Sequence, residues 1–426
     1  MASVRLLPLQ SPLDATVSVP GSKSITNRAL ICAALAQGES LLHNGSDSED
    51  TALMMNALNQ LGVLVRRAKS DLVVEGRGGR LYAPKYPVPV GNAGTTFRFL
   101  LSLAAVARGT TTFELSPRMA ERPLDDLIEA LRQAGVPVSR DVSGLYVHVE
   151  GSSLAGGRVS IRADRSSQFL SSLLLAAPYA REPMDIAVDG VLASAPYAAM
   201  TLQVMAAFGV TVRAEDEYRI PRGACYTPAE YTVEADASGA SYPLAAAAIG
   251  GGAVMVPGVR EKSLQGDMGF ASLLREAGCK VRFSPEGVVV EGTGTPGGMD
   301  VDMNAMPDVV PTLAAVALFA AGPTRVRNVG HLRFKESNRL DALADELRKL
   351  GASVTVHDDG FEIAPVPLHG ATLSPRDDHR LAMSFALVGL RTEGIVIENP
   401  GCVRKSFPRF WEEFEQMTGR PLSFTQ

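Results

Sequence analysis

Lys23, Arg98, Arg165 and Arg380 each stand at the start of a stretch that reads as a buried helix. Arg122, Lys335, Arg339 and Lys405 stand at the starts of further helices, and Arg28 lies just inside the first. A cation at a helix N-terminus opposes the macrodipole and costs roughly 0.3–1 kcal/mol. That cost is acceptable where an anion will sit between the cations. Hydroxyls occur at the same places: Ser22, Ser24, Thr95, Ser166 and Ser167 can donate to phosphate oxygens. Taken singly, each hydroxyl reads as a helix cap and each cation as a solvated surface charge. Their recurrence at matching positions favours an anion site. Two acids lie among them. Asp308 heads one helix, and Glu336 lies between Lys335 and Arg339. Carboxylates in a cationic, substrate-filled cleft can serve as general base and acid. The plain alternatives are an N-cap for Asp308 and an i, i+3 ion pair with Arg339 for Glu336. Spacing leaves both alternatives open.

The elements that must position these groups form a repeat. Polar heads recur at Gly21, Gly91, Asp164, Asp236, Asp308 and Asp378, in steps of 70, 73, 72, 72 and 70 residues. Each runs into an apolar, Ala- and Leu-rich helix. A second helix follows in each unit, ending in Gly before a short strand, as in Leu61-Gly62-Val63 and Ala134-Gly135-Val136. In the first unit, Arg28 to Leu35 reads as a helix and Leu41 to Asn44 as a strand. Ser48 reads as the N-cap of the second helix. Two strands, Val63 to Arg66 and Asp71 to Glu75, complete the unit. Six units fill the 426 residues and predict an α/β protein with three units in each half, divided near Tyr231. The first helix of each unit is apolar nearly all round, which places it inside its domain. An inverted barrel follows, with helices inside and sheets outside.

Composition narrows the function. A formal net charge of −5 argues against a general nucleic-acid or membrane-surface binder, so any basic site is local. The four cysteines have no metal-ligand spacing and read as reduced thiols of a cytoplasmic protein. The six histidines include no His-x-x-x-His pair, so neither a metal nor a cofactor is expected. No apolar run reaches membrane-spanning length without interruption, and Met1 to Pro20 has no signal pattern.

Three long motifs carry a family resemblance. Val19-Pro20-Gly21-Ser22-Lys23-Ser24-Ile25-Thr26-Asn27-Arg28, Gly91-Asn92-Ala93-Gly94-Thr95-Thr96-Phe97-Arg98 and Arg333-Phe334-Lys335-Glu336-Ser337-Asn338-Arg339-Leu340 resemble signatures of the EPSP synthase family of enolpyruvyl transferases. Ser166-Ser167-Gln168, Ser194-Ala195-Pro196-Tyr197, Asp378-His379-Arg380 and Lys405 also match, and the likeness runs in order along the whole chain. It implies a two-domain inside-out α/β barrel of six βαβαββ repeats, three per domain. The first domain would span 20–231. The second would join 1–19 to 232–426, with substrates in the cleft between them. The implied reaction belongs to the shikimate pathway of aromatic amino-acid biosynthesis. It moves the enolpyruvyl group of phosphoenolpyruvate to the 5-hydroxyl of shikimate 3-phosphate, releasing phosphate. Both substrates carry a phosphate and a carboxylate, which suits the cationic heads.

By the same resemblance, Lys23, Ser24, Arg28, Ser166, Ser167, Gln168, Ser194, Tyr197, Asp308, His331 and Lys335 hold shikimate 3-phosphate. Lys23, Gly94, Arg122, Gln168, Arg339, Arg380 and Lys405 hold phosphoenolpyruvate. At Gly94 a side chain would crowd a ligand lying against the backbone. Asp308 takes the proton of the 5-hydroxyl; Glu336, with Lys23, handles protonation of the methylene carbon. Two positions depart from the family pattern: His331 stands where many members have Asn, and Phe99 where many have Pro. A monomer that closes on its substrates is expected, without nucleic-acid or membrane partners. The nearest rival is UDP-N-acetylglucosamine enolpyruvyl transferase. It usually carries a loop cysteine before an Arg-Pro pair, whereas here Ser116 to Pro123 has none. A non-catalytic anion-binding repeat protein is the rival from another class; it would need the cations but not Asp308 and Glu336 together.

Overall fold

In the computed structural model, which describes residues 2–152 and 154–425, every polar head opens a helix. These core helices are Lys23–Leu35, Gly94–Ala104, Ser167–Ala176, Ala237–Gly250, Val310–Ala317 and His379–Val388. The fifth is preceded by a 3-10 turn at Pro307–Val309. Burial is nearly complete along all six. In the first, only Ser24 is not buried, and in the third only Gln168. Both exceptions lie in the first turn, so an otherwise solvent-free helix exposes its head.

Each core helix belongs to one four-stranded sheet, and all six sheets share a strand plan. In the second repeat Val88–Gly91 pairs in parallel with Thr110–Leu115, which pairs antiparallel with Tyr146–Glu150, and that with Val138–Arg140. The parallel pair needs a long crossover, and in this repeat the buried Gly94–Ala104 helix supplies it. The sheets bury one face: in Asp71–Arg77 the buried residues are Leu72, Val74 and Gly76, alternating with partly exposed ones. Gly76 is required by packing, because a Cβ there would lie 2.1 Å from the Ala33 carbonyl oxygen of the core helix.

The described residues cluster into two compact units. One is Gly21–Val233. The other joins the N-terminal segment up to Pro20 to the chain from Glu234 onward. Three short strands complete sheets far from them in sequence. Leu13–Thr16 lies parallel to Gly252–Pro257, Ser3–Arg5 pairs with Val396–Glu398 and Ser423–Thr425, and Glu230–Thr232 lies parallel to Gln37–His43. The two-domain α/β architecture is therefore as the repeats predict. Among the described residues the strands form six separate four-stranded sheets, and none closes on itself.

Element boundaries differ from expectation where polar side chains carry the helix. The first helix begins at Lys23 and not near Arg28, because Ser22 caps it, accepting from the Ile25 N–H at 3.4 Å. Ser48 caps the second helix as its sequence indicates, accepting from Thr51 N–H at 3.3 Å. That helix stops at Gly62, with φ +92°. Arg122 does not open a helix; it follows the short Pro117–Glu121 helix and precedes the Asp125–Gln133 helix. The Pro123 ring and the Leu124 geometry delay the next helix to Asp125. No described helix is long and apolar enough to cross a membrane.

Candidate functional site

In the Gly21–Val233 unit the three heads are linked side chain to side chain. Asn27 Nδ2 donates to Thr96 Oγ1 at 3.3 Å, joining the first head to the second. Gln168 joins the second to the third: its Nε2 donates to Thr95 Oγ1 at 3.0 Å, and its Oε1 accepts from Arg98 at 2.6 Å. Lys23 is buried and pairs with Asp50 at 2.9 Å. The Thr96 hydroxyl holds the Asp50 carbonyl at 2.8 Å, so the pair is braced from the neighbouring head. Arg98 also donates to the Pro123 carbonyl at 3.0 Å, which fixes the chain just after Arg122.

Arg122 is 3% exposed, and its Nη1 reaches the Asn92 carbonyl at 3.2 Å and the Asn92 side chain at 3.3 Å. This gives Gly94 its reason. A Cβ there would stand 2.7 Å from both terminal nitrogens of Arg122. The group a side chain at Gly94 displaces first is the Arg122 guanidinium.

Several hydroxyls are spent on helix ends. Ser22 and Ser166 both act as caps, Ser166 accepting from Gln168 N–H at 3.3 Å. Ser194 sits at an N-cap position with φ +57° and makes no capping bond through its side chain. Ser167 is buried within the third head. Arg28 points into the core. It donates to Thr201 Oγ1 at 2.7 Å, the Ser24 carbonyl at 2.8 Å, the Tyr197 carbonyl at 3.1 Å and Ser171 Oγ at 3.2 Å. Phe99 lies under its guanidinium, 5.0 Å from ring centroid to carbon. Burial without a carboxylate partner pushes the Arg28 group down to about 10.

In the other unit, the side chains named from sequence converge on one ionic network. Asp308 does not cap its helix. Its carboxylate contacts Arg380 at 2.7 Å, Arg339 at 3.1 Å and Lys335 at 3.8 Å. Glu336 pairs with Arg339 at 2.7 Å, so the i, i+3 reading holds in this structure. Asp378 takes the remaining edge of Arg339 at 2.8 and 3.2 Å, and accepts from Ser337 Oγ at 3.0 Å and Arg380 N–H at 3.0 Å. Arg339 is 1% exposed and thus meets three carboxylates, Asp308, Glu336 and Asp378. Those acids are matched by three cations, Arg339, Arg380 and Lys335. Lys405 ends the Pro400–Lys405 turn and is buried.

The network sets the protonation states. Burial alone would raise the Asp308 carboxyl, but Arg380, Lys335 and Arg339 together hold it far below the usual carboxylate range. Burial disfavours the Arg339 cation, and Asp378, Glu336 and Asp308 more than restore it. His331 is pushed down to about 4, first by burial and then by Lys335, so it is neutral near pH 7. Its Nε2 makes no hydrogen bond among the described residues. Asp267 is pushed up to about 6 by burial and by Asp308, against Arg380.

Asp50, Asp378 and Asp267 were not named as functional from sequence. Asp378 carried a signal, since it heads the sixth repeat. Asp50 reads as an ordinary first-turn acid, and Asp267 carried none. No cluster of three His, Cys, Asp or Glu suited to a metal occurs among the described residues.

Comparison with known proteins gives one consistent picture. A family model described as EPSP synthase (3-phosphoshikimate 1-carboxyvinyltransferase) matches residues 8–414. A relative from Trichormus variabilis named 3-phosphoshikimate 1-carboxyvinyltransferase is 42% identical over 426 residues, covering 99% of this chain and 100% of its own. One of the same name from Syntrophobacter fumaroxidans is 44% identical over 415 residues, covering 96% and 98%. Among solved structures, an EPSP synthase from Acinetobacter baumannii superposes with a TM-score of 0.83 at 25% identity, covering 100% of both chains.

Proposed function

The chain belongs to the EPSP synthase family, and from that premise we propose that Asp308, Glu336 and Lys23 carry its chemistry. It is an enzyme of the shikimate pathway. It transfers the enolpyruvyl group of phosphoenolpyruvate to the 5-hydroxyl of shikimate 3-phosphate and releases phosphate. In the addition step the 5-oxygen bonds to C2 of phosphoenolpyruvate while the methylene carbon gains a proton. In the elimination step that carbon returns a proton, the double bond reforms, and phosphate leaves with the electron pair of its C–O bond. Asp308 receives the hydroxyl proton. Glu336 and Lys23 pass the proton to and from the methylene carbon.

One observation carries this reading: the Asp308 carboxylate sits among three cations that anionic substrates would also seek. In the free enzyme those cations make Asp308 a very weak base. Phosphate and carboxylate groups binding to Arg339, Arg380 and Lys335 add negative charge beside Asp308. Added negative charge raises the proton affinity of a carboxylate. The base is therefore strengthened only in the substrate complex, where its proton transfer is useful. Shikimate 3-phosphate binds through Lys23, Ser24, Ser166, Ser167, Gln168, Ser194, Tyr197, His331 and Lys335. Arg28 supports that surface from inside by holding the Ser24 and Tyr197 carbonyls. Phosphoenolpyruvate takes Lys23, Arg122, Gln168, Arg339, Arg380 and Lys405, with Gly94 leaving room. The enzyme acts as a cytoplasmic monomer.

Glu336→Gln tests the assignment. It keeps size and a hydrogen bond to Arg339 but removes acid–base function. Turnover should fall roughly 10²–10⁴-fold with substrate affinities largely kept. Exchange of solvent deuterium into the methylene of phosphoenolpyruvate, in the presence of shikimate 3-phosphate, should slow with it. Asp308→Asn should lower turnover and also weaken shikimate 3-phosphate. Near-normal turnover and exchange in Glu336→Gln would leave Glu336 only its ion pair.

A further inference from the structure

The turn that delivers Asp378 and Arg380 to the network has an unusual backbone. Arg376 and Asp377 have φ of +51° and +60°. They are the one adjacent pair of non-glycine residues in the left-handed region among the described residues. Such a pair is unfavourable and persists only where its surroundings over-determine it. Three ties do this. Ser374 N–H donates to Glu346 Oε2 at 2.9 Å. Arg376 pairs with Asp345 Oδ2 at 2.8 Å. Asn399 Nδ2 donates to Asp377 Oδ1 at 3.0 Å, linking the turn to the segment that ends in Lys405.

Glu346 stands out among these partners. Its side chain is only 3% exposed, yet it has no part in the ionic network around Asp308. Lys349 balances its charge at 2.7 Å, and Arg376 lies 3.8 Å from its other oxygen. A pair with Lys349 alone could form at the surface, where no carboxylate need be desolvated. Burial is what lets Glu346 reach the Ser374 N–H. Glu346 lies on the Arg339–Arg348 helix, seven residues after Arg339, two turns along the same face and roughly 10 Å away. One helix thus grips the turn twice: Arg339 holds Asp378, and Glu346 holds Ser374.

We propose that Glu346 is a positioning residue for phosphoenolpyruvate. By tying Ser374 to the helix that carries Arg339, it sets the spacing between the Arg339 and Arg380 guanidinium groups. The proposal rests on the reading of those two arginines as phosphoenolpyruvate ligands. Glu346 does not touch the substrate; it acts through the turn.

Steady-state kinetics and binding on the full-length enzyme test it. Glu346→Ala should lower kcat/KM for phosphoenolpyruvate roughly 10–100-fold, the usual effect of misplacing binding groups by up to an ångström. Binding of shikimate 3-phosphate alone should stay within about twofold. Glu346→Gln keeps an oxygen acceptor for Ser374 and should stay within about threefold of wild type for phosphoenolpyruvate. A second variant avoids the buried site. Arg376→Gly with Asp377→Gly alters two exposed residues and suits their backbone, so the melting temperature should hold near wild type. It releases the turn, and kcat/KM for phosphoenolpyruvate should fall about tenfold. Unchanged phosphoenolpyruvate kinetics in Glu346→Ala or in the double glycine variant would overturn the proposal. So would an equal loss for shikimate 3-phosphate. A wild-type chain that fails to consume phosphoenolpyruvate would instead refute the functional reading, a result visible before any variant is made.

Discussion

Replacing Gly94 by Ala adds one methyl group, and the structure says what it meets. The new Cβ would lie 2.7 Å from both terminal nitrogens of Arg122 and 2.8 Å from the guanidinium carbon. Ordinary contact needs about 3.5–4.0 Å, so the guanidinium must retreat by roughly 1 Å. The retreat is easy for the fold, since the colliding group is the end of a flexible side chain. It weakens the bonds to Asn92, which are worth about 1.5–3 kcal/mol when charge-assisted. Ala is favoured over Gly in a helix by about 1 kcal/mol and offsets part of this. Net stability should change by less than about 2 kcal/mol. Catalysis should suffer more. A 1 Å misplacement of a binding group costs up to about 10²-fold, or 2.7 kcal/mol of barrier. We expect kcat/KM for phosphoenolpyruvate to drop roughly 10–100-fold while shikimate 3-phosphate, titrated alone, binds as before. A double-mutant cycle with Arg122→Lys isolates the cause, because the Lys head lacks the displaced fork. If the methyl acts through Arg122, it should add little once Lys is present. Fully additive losses, or an equal loss for shikimate 3-phosphate, would refute the steric argument.

Two other outcomes follow from the ionic network. Asp378→Ala removes the partner on one edge of a guanidinium that is 1% exposed, and should destabilise the fold by about 3 kcal/mol or more, read by urea unfolding. Burial, with Lys335 beside it, pushes His331 down to about 4 from an ordinary 6.5, so the unfolded chain binds more protons between these values. Its contribution to stability is present above pH 6.5 and is lost as pH falls towards 4, on the order of 3 kcal/mol in all. Asp267, raised to about 6, slopes the opposite way. The effect is therefore read as the difference between wild type and His331→Asn, by calorimetry at pH 7 and pH 4.5; an unchanged difference would contradict the buried, neutral imidazole.

What sequence revealed and what it hid divide along a physical line. The six heads were legible because a buried helix must announce its start with polar residues, and six starts at one spacing cannot be accidental capping. Ser48 and Gly62 were legible for the same local reason. Asp308 and Glu336 were visible as acids among cations, but not their partners: Asp308 meets Arg339 across 31 residues and Arg380 across 72. Asp50 was missed because its partner Lys23 lies 27 residues away, while its local setting is that of any first-turn acid. Arg28 reads from sequence as one more head cation, yet i, i+4 geometry turns it onto Ser24 and into the core. The strands Glu230–Thr232 and Ser3–Arg5 are three residues long and pair with distant partners, so no local pattern sets their sheet. At Gly94 the sequence pointed to a need for space but not to Arg122, because only the fold brings that guanidinium beside it.

This chain moves an enolpyruvyl group specifically to shikimate 3-phosphate. Phosphate release from phosphoenolpyruvate, followed with shikimate 3-phosphate or with UDP-N-acetylglucosamine as acceptor, tests it most directly. Release should saturate in shikimate 3-phosphate, yield one enolpyruvyl ether per phosphate, and stay at background with the sugar nucleotide. Release driven by UDP-N-acetylglucosamine, or none with shikimate 3-phosphate, would contradict it.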